Sequence, residues 1–379
     1  MAKYALVVVR PQSKIIKNIG DYIQTIATSL HHTSNEYIYI DREKLCSYKS
    51  IDKETVKSII NGCYVWNTQN WPPSENLDPL FISMHIFPKA EKDLFKDENL
   101  SYWKSHAPIG CRDLGTLSMF ERRGIPAYFS ACITLTLGDK YGYNGNRNGI
   151  YFVDPYIPLP LFKNQSSWKK IQFAEIPTMI RDFRKNWKMV KSLVKNDYFE
   201  QYGPDWGHSH YKGIKRLFMK YYHASQFYKV YSNKFTDNCL LQSEYITHMY
   251  RLLQDHKETD ADLCKVAETF INKYAKAKMV VTSRIHAALP CLGLNTPVIF
   301  ILNSNMESTS VKFNTPGRFG GIVDLFRTIR VEEENLSCVD EQLNKINKID
   351  TDTIFENKRE HEKYANLIRE KVKAFINKE

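Results

Sequence analysis

The stretch Met279–Ile301, "MVVTSRIHAALPCLGLNTPVIFI", constrains the fold more than any other part of the chain. It reads as a β-branched run of strand length, a helical pattern, and a second β-branched run opened by Pro297. Strands alternating with helices through short turns require a parallel sheet covered by helices. Arg284 stands where the first helical turn begins, and His286 follows two residues later. A helix N-terminus already carries about half a positive charge, so a cation placed there needs a partner.

The same alternation runs through the rest of the chain. "YALVVVR" (4–10) is a buried-strand run, and "NIGDYIQTIATSL" brings Gly20, an N-cap expected at Asp21, and apolar residues at helical spacing. "EYIYID" (36–41) is a second strand. "KETVKSIING" reads as a short helix closed by Gly62 and followed by the strand "CYVWN", and "LDPLFISMHIF" (77–87) as a further strand. "APIGCRDLGTLSMFERRGIPAYFSAC" gives strand, turn, helix, a stop at Gly124, and strand. After "GIYFVDPY" (149–156), residues 167–255 are dominated by long helical patterns rich in aromatics and lysine. The alternation resumes before Met279, and an amphipathic C-terminal helix is expected over Glu356–Asn377. The expected fold is α/β: two Rossmann-like domains facing across a cleft, residues 1–150 and 151–379, with a helical middle segment and a C-terminal helix.

Composition narrows the function classes. No run approaches the roughly 18 apolar residues of a membrane-spanning helix. The start of the chain passes into a strand without the long apolar core of a signal peptide, so a cytoplasmic location is expected. Eight cysteines without a CxxC pair read as reduced and mostly buried thiols, and no metal site is expected. Fifty-three Lys and Arg against 42 Asp and Glu leave a net charge of +11, which fits an anionic partner. No RRM, zinc-finger or helix-turn-helix signature accompanies that charge, so nucleic acid is not the expected partner.

In an open α/β sheet ligands bind beyond the carboxyl ends of the strands, and helix N-termini there offer free N–H groups to phosphate or carboxylate. Three junctions of this kind stand out. At Arg284 and His286 a guanidinium fork suits a bidentate anion, and the bland alternative is an arginine paired with a carboxylate from the facing domain. "PIGCRDLGT" (108–116) places Arg112 ahead of a helix in which Asp113 is an N-cap or first-turn residue. "NIGDYIQ" presents Asn18, Gly20, Asp21 and Gln24, with Asp21 either a cap or a base. "NTPGRFGG" (314–321) matches neither a P-loop nor GxGxxG, but Arg318 is placed to close over a ligand. "YNGNRNG" (143–149) reads as a loop tip. His208 and His210 in "GHSH" lack a third metal ligand at helical spacing.

The three segments "NIGDYIQ", "PIGCRDLGTLSMFERRGIPAYFSACITLTL" and "VVTSRIHAALPCLGLNTPVIFI", in that order, resemble the polysaccharide pyruvyl transferases. The likeness runs over roughly residues 4–137 and 260–325, with Arg-x-His entering a helix as its most specific motif. Many relatives carry Asp-Pro after the strand that follows the Arg-Asp helix; "FSACITLTL" stands there instead, as in a subgroup, so no acidic role is carried over to it. The resemblance implies a two-domain fold like that of GT-B glycosyltransferases. It implies transfer of the enolpyruvyl group of phosphoenolpyruvate onto two hydroxyls of a sugar, with a cyclic pyruvate ketal and phosphate as products. It implies His286 as the acid and Asp21 as an acceptor-side base or orienter. Arg284, Arg112, Arg318 and Ser283 would hold phosphoenolpyruvate, and Asn18, Gly20 and Gln24 the acceptor. No cofactor beyond the donor substrate is implied. A lipid-linked acceptor would bring the basic middle segment to the inner face of an anionic membrane. Two other readings stay open: a GT-B glycosyltransferase using a nucleotide sugar, and a non-enzymatic basic protein that binds anions or nucleic acid.

Overall fold

A computed structural model describes residues 4–10, 16–34, 36–50, 54–64, 68–162, 172–201, 213–251, 258–303, 317, 319–338 and 340–378. The first sheet contains β1 (Tyr4–Val8), β3 (Tyr37–Asp41), β4 (Val56–Tyr64), β5 (Leu77–Ile86), β6 (Ile109–Cys111) and β7 (Ala127–Phe129). Its order is β3-β1-β4-β5-β6-β7, and every pairing is parallel. The second contains β8 (Ile150–Val153), β9 (Glu244–Ile246), β11 (Met279–Thr282), β12 (Val298–Asn303), β13 (Arg327–Glu332) and β14 (Asn335–Cys338). Its order is β14-β13-β12-β11-β8-β9, parallel except for the β13–β14 hairpin. A small antiparallel pair, β2 (Ile16–Asn18) with β10 (Met249–Arg251), ties the two halves together.

Eight helices of eight or more residues lie among the described residues: α1 (Ile19–Ser29), α2 (Asp97–Ser105), α3 (Leu114–Glu121), α4 (Ile176–Leu193), α5 (Gly213–Tyr231), α6 (Asp260–Lys276), α7 (Ile285–Gly293) and α8 (His361–Ile376). One apolar cluster joins both sheets: Val8, Ile59 and Ile82 of the first, Val280, Val298 and Phe300 of the second, with faces of α1, α6, α7 and α8. A second cluster packs α4 and α5 on the other face of the second sheet, and a third, around Trp71, Phe81, Trp103 and Phe120, covers the first. Burial on both faces explains why β11 and β12 read as unbroken apolar runs; every residue of both is buried.

Several expectations are corrected. Val56–Tyr64 is a single strand and not a helix followed by a strand. Val56, Ile59 and Ile60 have helical spacing because the strand buries both faces, and Gly62, at φ +103°, marks an irregularity in its register with β5 and does not end a helix. The cap of α1 is Asn18, whose side chain accepts the Gly20 N–H, so Asp21 lies inside the first turn. Within 167–255, β9 and β10 are strands, and the C-terminal helix begins at His361 and not at Glu356. Of the eight free cysteines four are buried, three are half-buried and Cys46 is exposed. Arg147, in the expected loop tip, instead ties 143–149 to the fold by donating to Leu294 O at 2.8 Å and to Thr296 Oγ1 at 2.6 Å. The segment around His208 and His210 lies outside the described residues, as does Arg318.

An L side chain at position 62 must adopt a φ that only glycine reaches without strain. Gly62→Ala is therefore expected to destabilise the protein by about 1–3 kcal/mol, measured as a lower denaturant midpoint in equilibrium unfolding.

Candidate functional site

The site lies where the carboxyl ends of the two sheets face the amino ends of α1 and α7. Thr282 closes β11 by donating to Val153 O of the neighbouring strand at 2.7 Å, and its hydroxyl accepts the Arg284 N–H at 2.9 Å. That turn sets Arg284 at the cap of α7 without a side-chain cap of its own. Its Nε donates to Asp154 Oδ2 at 2.9 Å. Asp154 follows β8 directly, is buried, and holds φ +41°, a strained backbone for a residue with a side chain. The same oxygen accepts the His248 N–H at 3.0 Å. A carboxylate partner of Arg284 thus comes from the adjacent strand of its own sheet. Ser283 is buried, and its hydroxyl accepts the Tyr156 N–H at 2.9 Å.

His286 sits in the first turn of α7 and meets α1. Its Nδ1 lies 3.6 Å from Asp21 Oδ1 and 3.5 Å from Gln24 Nε2. Asn18 donates from Nδ2 to Asp21 Oδ2 at 3.2 Å. Gly20 permits the approach, because a Cβ there would fall 2.8 Å from the His286 Cβ and 3.1 Å from His248 Nδ1. Burial pushes the Asp21 carboxyl up from its ordinary pKa; Arg42, the Asn18 hydrogen bond, Arg112 and Arg284 oppose that rise without cancelling it. Three guanidinium groups, from β3's end, β6's end and the α7 cap, therefore act on one carboxylate. The structure brings Asn18, Gly20, Asp21, Gln24, Arg112, Arg284 and His286 into one neighbourhood.

Arg112 is 1% exposed. Its backbone N–H donates to Met84 O at 2.7 Å, while Nε and Nη2 have no hydrogen-bond partner among the described residues. Buried guanidinium nitrogens left in this way favour an incoming anion. The nearest carboxylate oxygen, Asp113 Oδ2, is 3.7 Å away and is engaged elsewhere. Asp113 caps α3 by accepting the Thr116 N–H at 2.9 Å, and its other oxygen binds His85 Nδ1 at 2.7 Å. Burial pushes Asp113 up, but His85, Arg112 and Thr116 bring it below its usual value; His85 is lowered by burial and raised further by Asp113.

His85 pairs in register with Cys63 on β4. Burial pushes that thiol up, and His85, Arg112 and Arg42 more than reverse the effect, leaving it at about 7. Burial leaves Cys111, Cys132, Cys239, Cys264 and Cys291 raised instead. Arg42, Cys63, His85, Asp154 and His248 were not singled out from the sequence. The available signals were polar residues interrupting or ending apolar strands: "YIYIDR", "NGCY", "SMHIF" and "FVDPY".

The arrangement is that of an α/β protein whose largely parallel sheets bring buried arginines beside a histidine–carboxylate pair. A family model described as Polysaccharide pyruvyl transferase matches residues 82–305, more than half of the 379-residue chain. The chain belongs to that family, whose name is that of a pyruvyl transferase acting in polysaccharide synthesis. The matched span includes His85, Arg112, Asp113, Asp154, Arg284 and His286. Comparison with curated proteins and with solved structures returned no match. Among the described residues no group of three or more His, Cys, Asp or Glu side chains is placed to hold a metal ion, and no helix is long and apolar enough to cross a membrane.

The Cys63 thiol should react with iodoacetamide at a rate that is half-maximal near pH 7, where its pKa is drawn to about 7. His85→Asn should move that midpoint up toward the ordinary thiol value of about 8.5, as read by mass spectrometry of the alkylated peptide.

Proposed function

We propose that the protein transfers the enolpyruvyl group of phosphoenolpyruvate onto two hydroxyls of one sugar in a polysaccharide precursor, forming a cyclic pyruvate ketal and releasing phosphate. The observation that carries this reading is the convergence of Arg42, Arg112 and Arg284 on the carboxylate beside His286, at two helix N-termini. Phosphoenolpyruvate bears a phosphate and a carboxylate, and fixed guanidinium groups with helix N-terminal N–H donors suit both. On this reading Arg284, Arg112, Arg318 and Ser283 receive the donor, and Asn18, Gly20 and Gln24 the acceptor.

His286 delivers a proton to the methylene carbon, and positive charge develops at C2. A sugar hydroxyl attacks C2 while Asp21 takes its proton. The C2–O bond to phosphate then breaks, the second hydroxyl closes the ring, and its proton leaves with phosphate. The arginine charges neutralise the departing phosphate, so no step calls for a cofactor. The acceptor is carried on a lipid, and the two sheets with their helices serve as GT-B-like halves divided near residue 150, donor side C-terminal. The protein works in the cytoplasm against the inner face of the membrane.

Phosphoenolpyruvate should raise the thermal midpoint of the wild-type protein, by the equivalent of about 2.7 kcal/mol at a hundredfold excess over Kd. Arg284→Ala should lose that response. Stabilisation by UDP, GDP or CMP in place of phosphoenolpyruvate would overturn the reading in favour of a nucleotide-sugar glycosyltransferase.

A second outcome follows from Asp21. A base works only when deprotonated, and burial raises the pKa of this carboxyl, so activity should fall on acidification at a pH above the usual carboxylate value of about 4. Asp21→Asn should lower kcat by about 10²–10⁴-fold and remove that acid limb, as measured by phosphate release across a pH series.

A further inference from the structure

We propose that the exposed face of α4, with the first turns of α5, is a docking surface for an anionic lipid bilayer. The proposal rests on the lipid-borne acceptor for its purpose, and on the surface alone for its geometry. Every charged residue exposed on α4 is a cation: Arg181, Arg184, Lys185, Lys188 and Lys191. The one acid of that helix, Asp182, is buried against Lys229 Nζ at 2.7 Å. Lys215 and Arg216, also exposed, extend the basic face onto α5.

Large apolar side chains stand among those cations. Ile180 and Trp187 lie seven residues apart on one face of α4, 42% and 49% exposed. Phe173 stands seven residues before Ile180, in the turn that leads into the helix. On α5, Ile214 and Leu217 are 87% and 56% exposed and share a face with Tyr221. Trp187 stacks on Tyr221 with ring centroids 5.7 Å apart, which joins the two helices into one apolar strip. From Phe173 to Trp187 that strip is about 21 Å long at 1.5 Å per residue.

Charge selects the partner. A nucleic acid needs the cations but gives exposed isoleucine and leucine nothing to bury against, and helices that pair do so through apolar stripes flanked by both signs of charge, whereas α4 exposes cations alone. A bilayer of anionic lipids accepts both features. Tryptophan and aliphatic side chains enter the headgroup boundary, while lysine and arginine reach along their stems to phosphate.

The test is sedimentation of the full-length protein with phosphatidylcholine vesicles, with and without about one-third phosphatidylglycerol. It is read beside variants Arg184→Glu/Lys188→Glu/Lys191→Glu and Ile180→Ser/Trp187→Ser, with circular dichroism to verify folding. Wild type should bind only the anionic vesicles. A basic residue at such a surface strengthens binding about fivefold, so the triple reversal should weaken it about a hundredfold or more. The apolar variant should bind in low salt and be released by salt more readily than wild type. Equal binding to both vesicle types, no sedimentation of wild type, unchanged binding by both variants, or tighter binding to a single-stranded oligonucleotide would overturn the proposal. The assay contains no phosphoenolpyruvate. Failure of the pyruvyl transfer reading would leave it untouched, and failure of docking would leave turnover of a soluble acceptor unchanged in both variants.

Discussion

The amino ends of α1 and α7 can meet only because position 20 lacks a side chain. A Cβ at Gly20 would press on the Cβ of His286 at 2.8 Å, and nothing short of displacing one helix relieves that contact. Much of the site follows from this approach. It sets Asp21 and Gln24 against His286, places Asn18 where it can both cap α1 and hold Asp21, and aims two helix dipoles at the same point. The β2–β10 pair fixes the approach from the side, because Asn18 pairs with Met249 and Ile19 N–H donates to His248 O at 2.9 Å.

Concentrating positive charge in this way is unfavourable unless anions answer it, and the chain supplies one to each arginine region. Asp154 answers Arg284, Asp113 lies beside Arg112, and Asp21 stands among all three guanidinium groups. The three carboxylates are not equivalent. Asp113 is saturated by His85 and Thr116 and held below its ordinary pKa, so it stays charged and acts as an anchor. Asp154 is fixed by Arg284 and the His248 N–H on a strained backbone, which suits a residue that aims another. Asp21 is raised where Asp113 is lowered, and of that pair it is the carboxylate suited to exchange a proton.

The sequence made some of this legible and hid the rest for physical reasons. Strand–helix junctions announce themselves by a change of period, which is why Asn18–Gln24, Arg112 and Arg284–His286 were found. Val56–Gly62 reads as a helix because a strand buried on both faces loses the alternation that marks strands, and its isoleucine spacing imitates a helix. Arg42, Cys63, His85 and Asp154 carry only a weak local signal. Each is a polar residue at or just past a strand end, and only the parallel register, such as Cys63 beside His85, reveals that they gather. The bland alternative for Arg284 is a carboxylate from the facing domain, whereas the parallel pairing of β8 with β11 puts Asp154 beside it in the same sheet.

On the proposed reading the arrangement also couples donor binding to the state of the base. Without a ligand, Arg42, Arg112 and Arg284 all favour the charged form of Asp21 and partly offset its burial. A phosphate dianion settling among those arginines would take up part of that positive field and add negative charge within a few ångströms. Both effects raise the pKa of Asp21 further. On the proposed reading the carboxylate becomes a stronger base when the donor is in place, at the moment when a sugar hydroxyl must be deprotonated. On that reading a carboxylate lodged in the donor's counter-charge times the chemistry as well as performing it. A base outside the reach of these arginines would lack that timing.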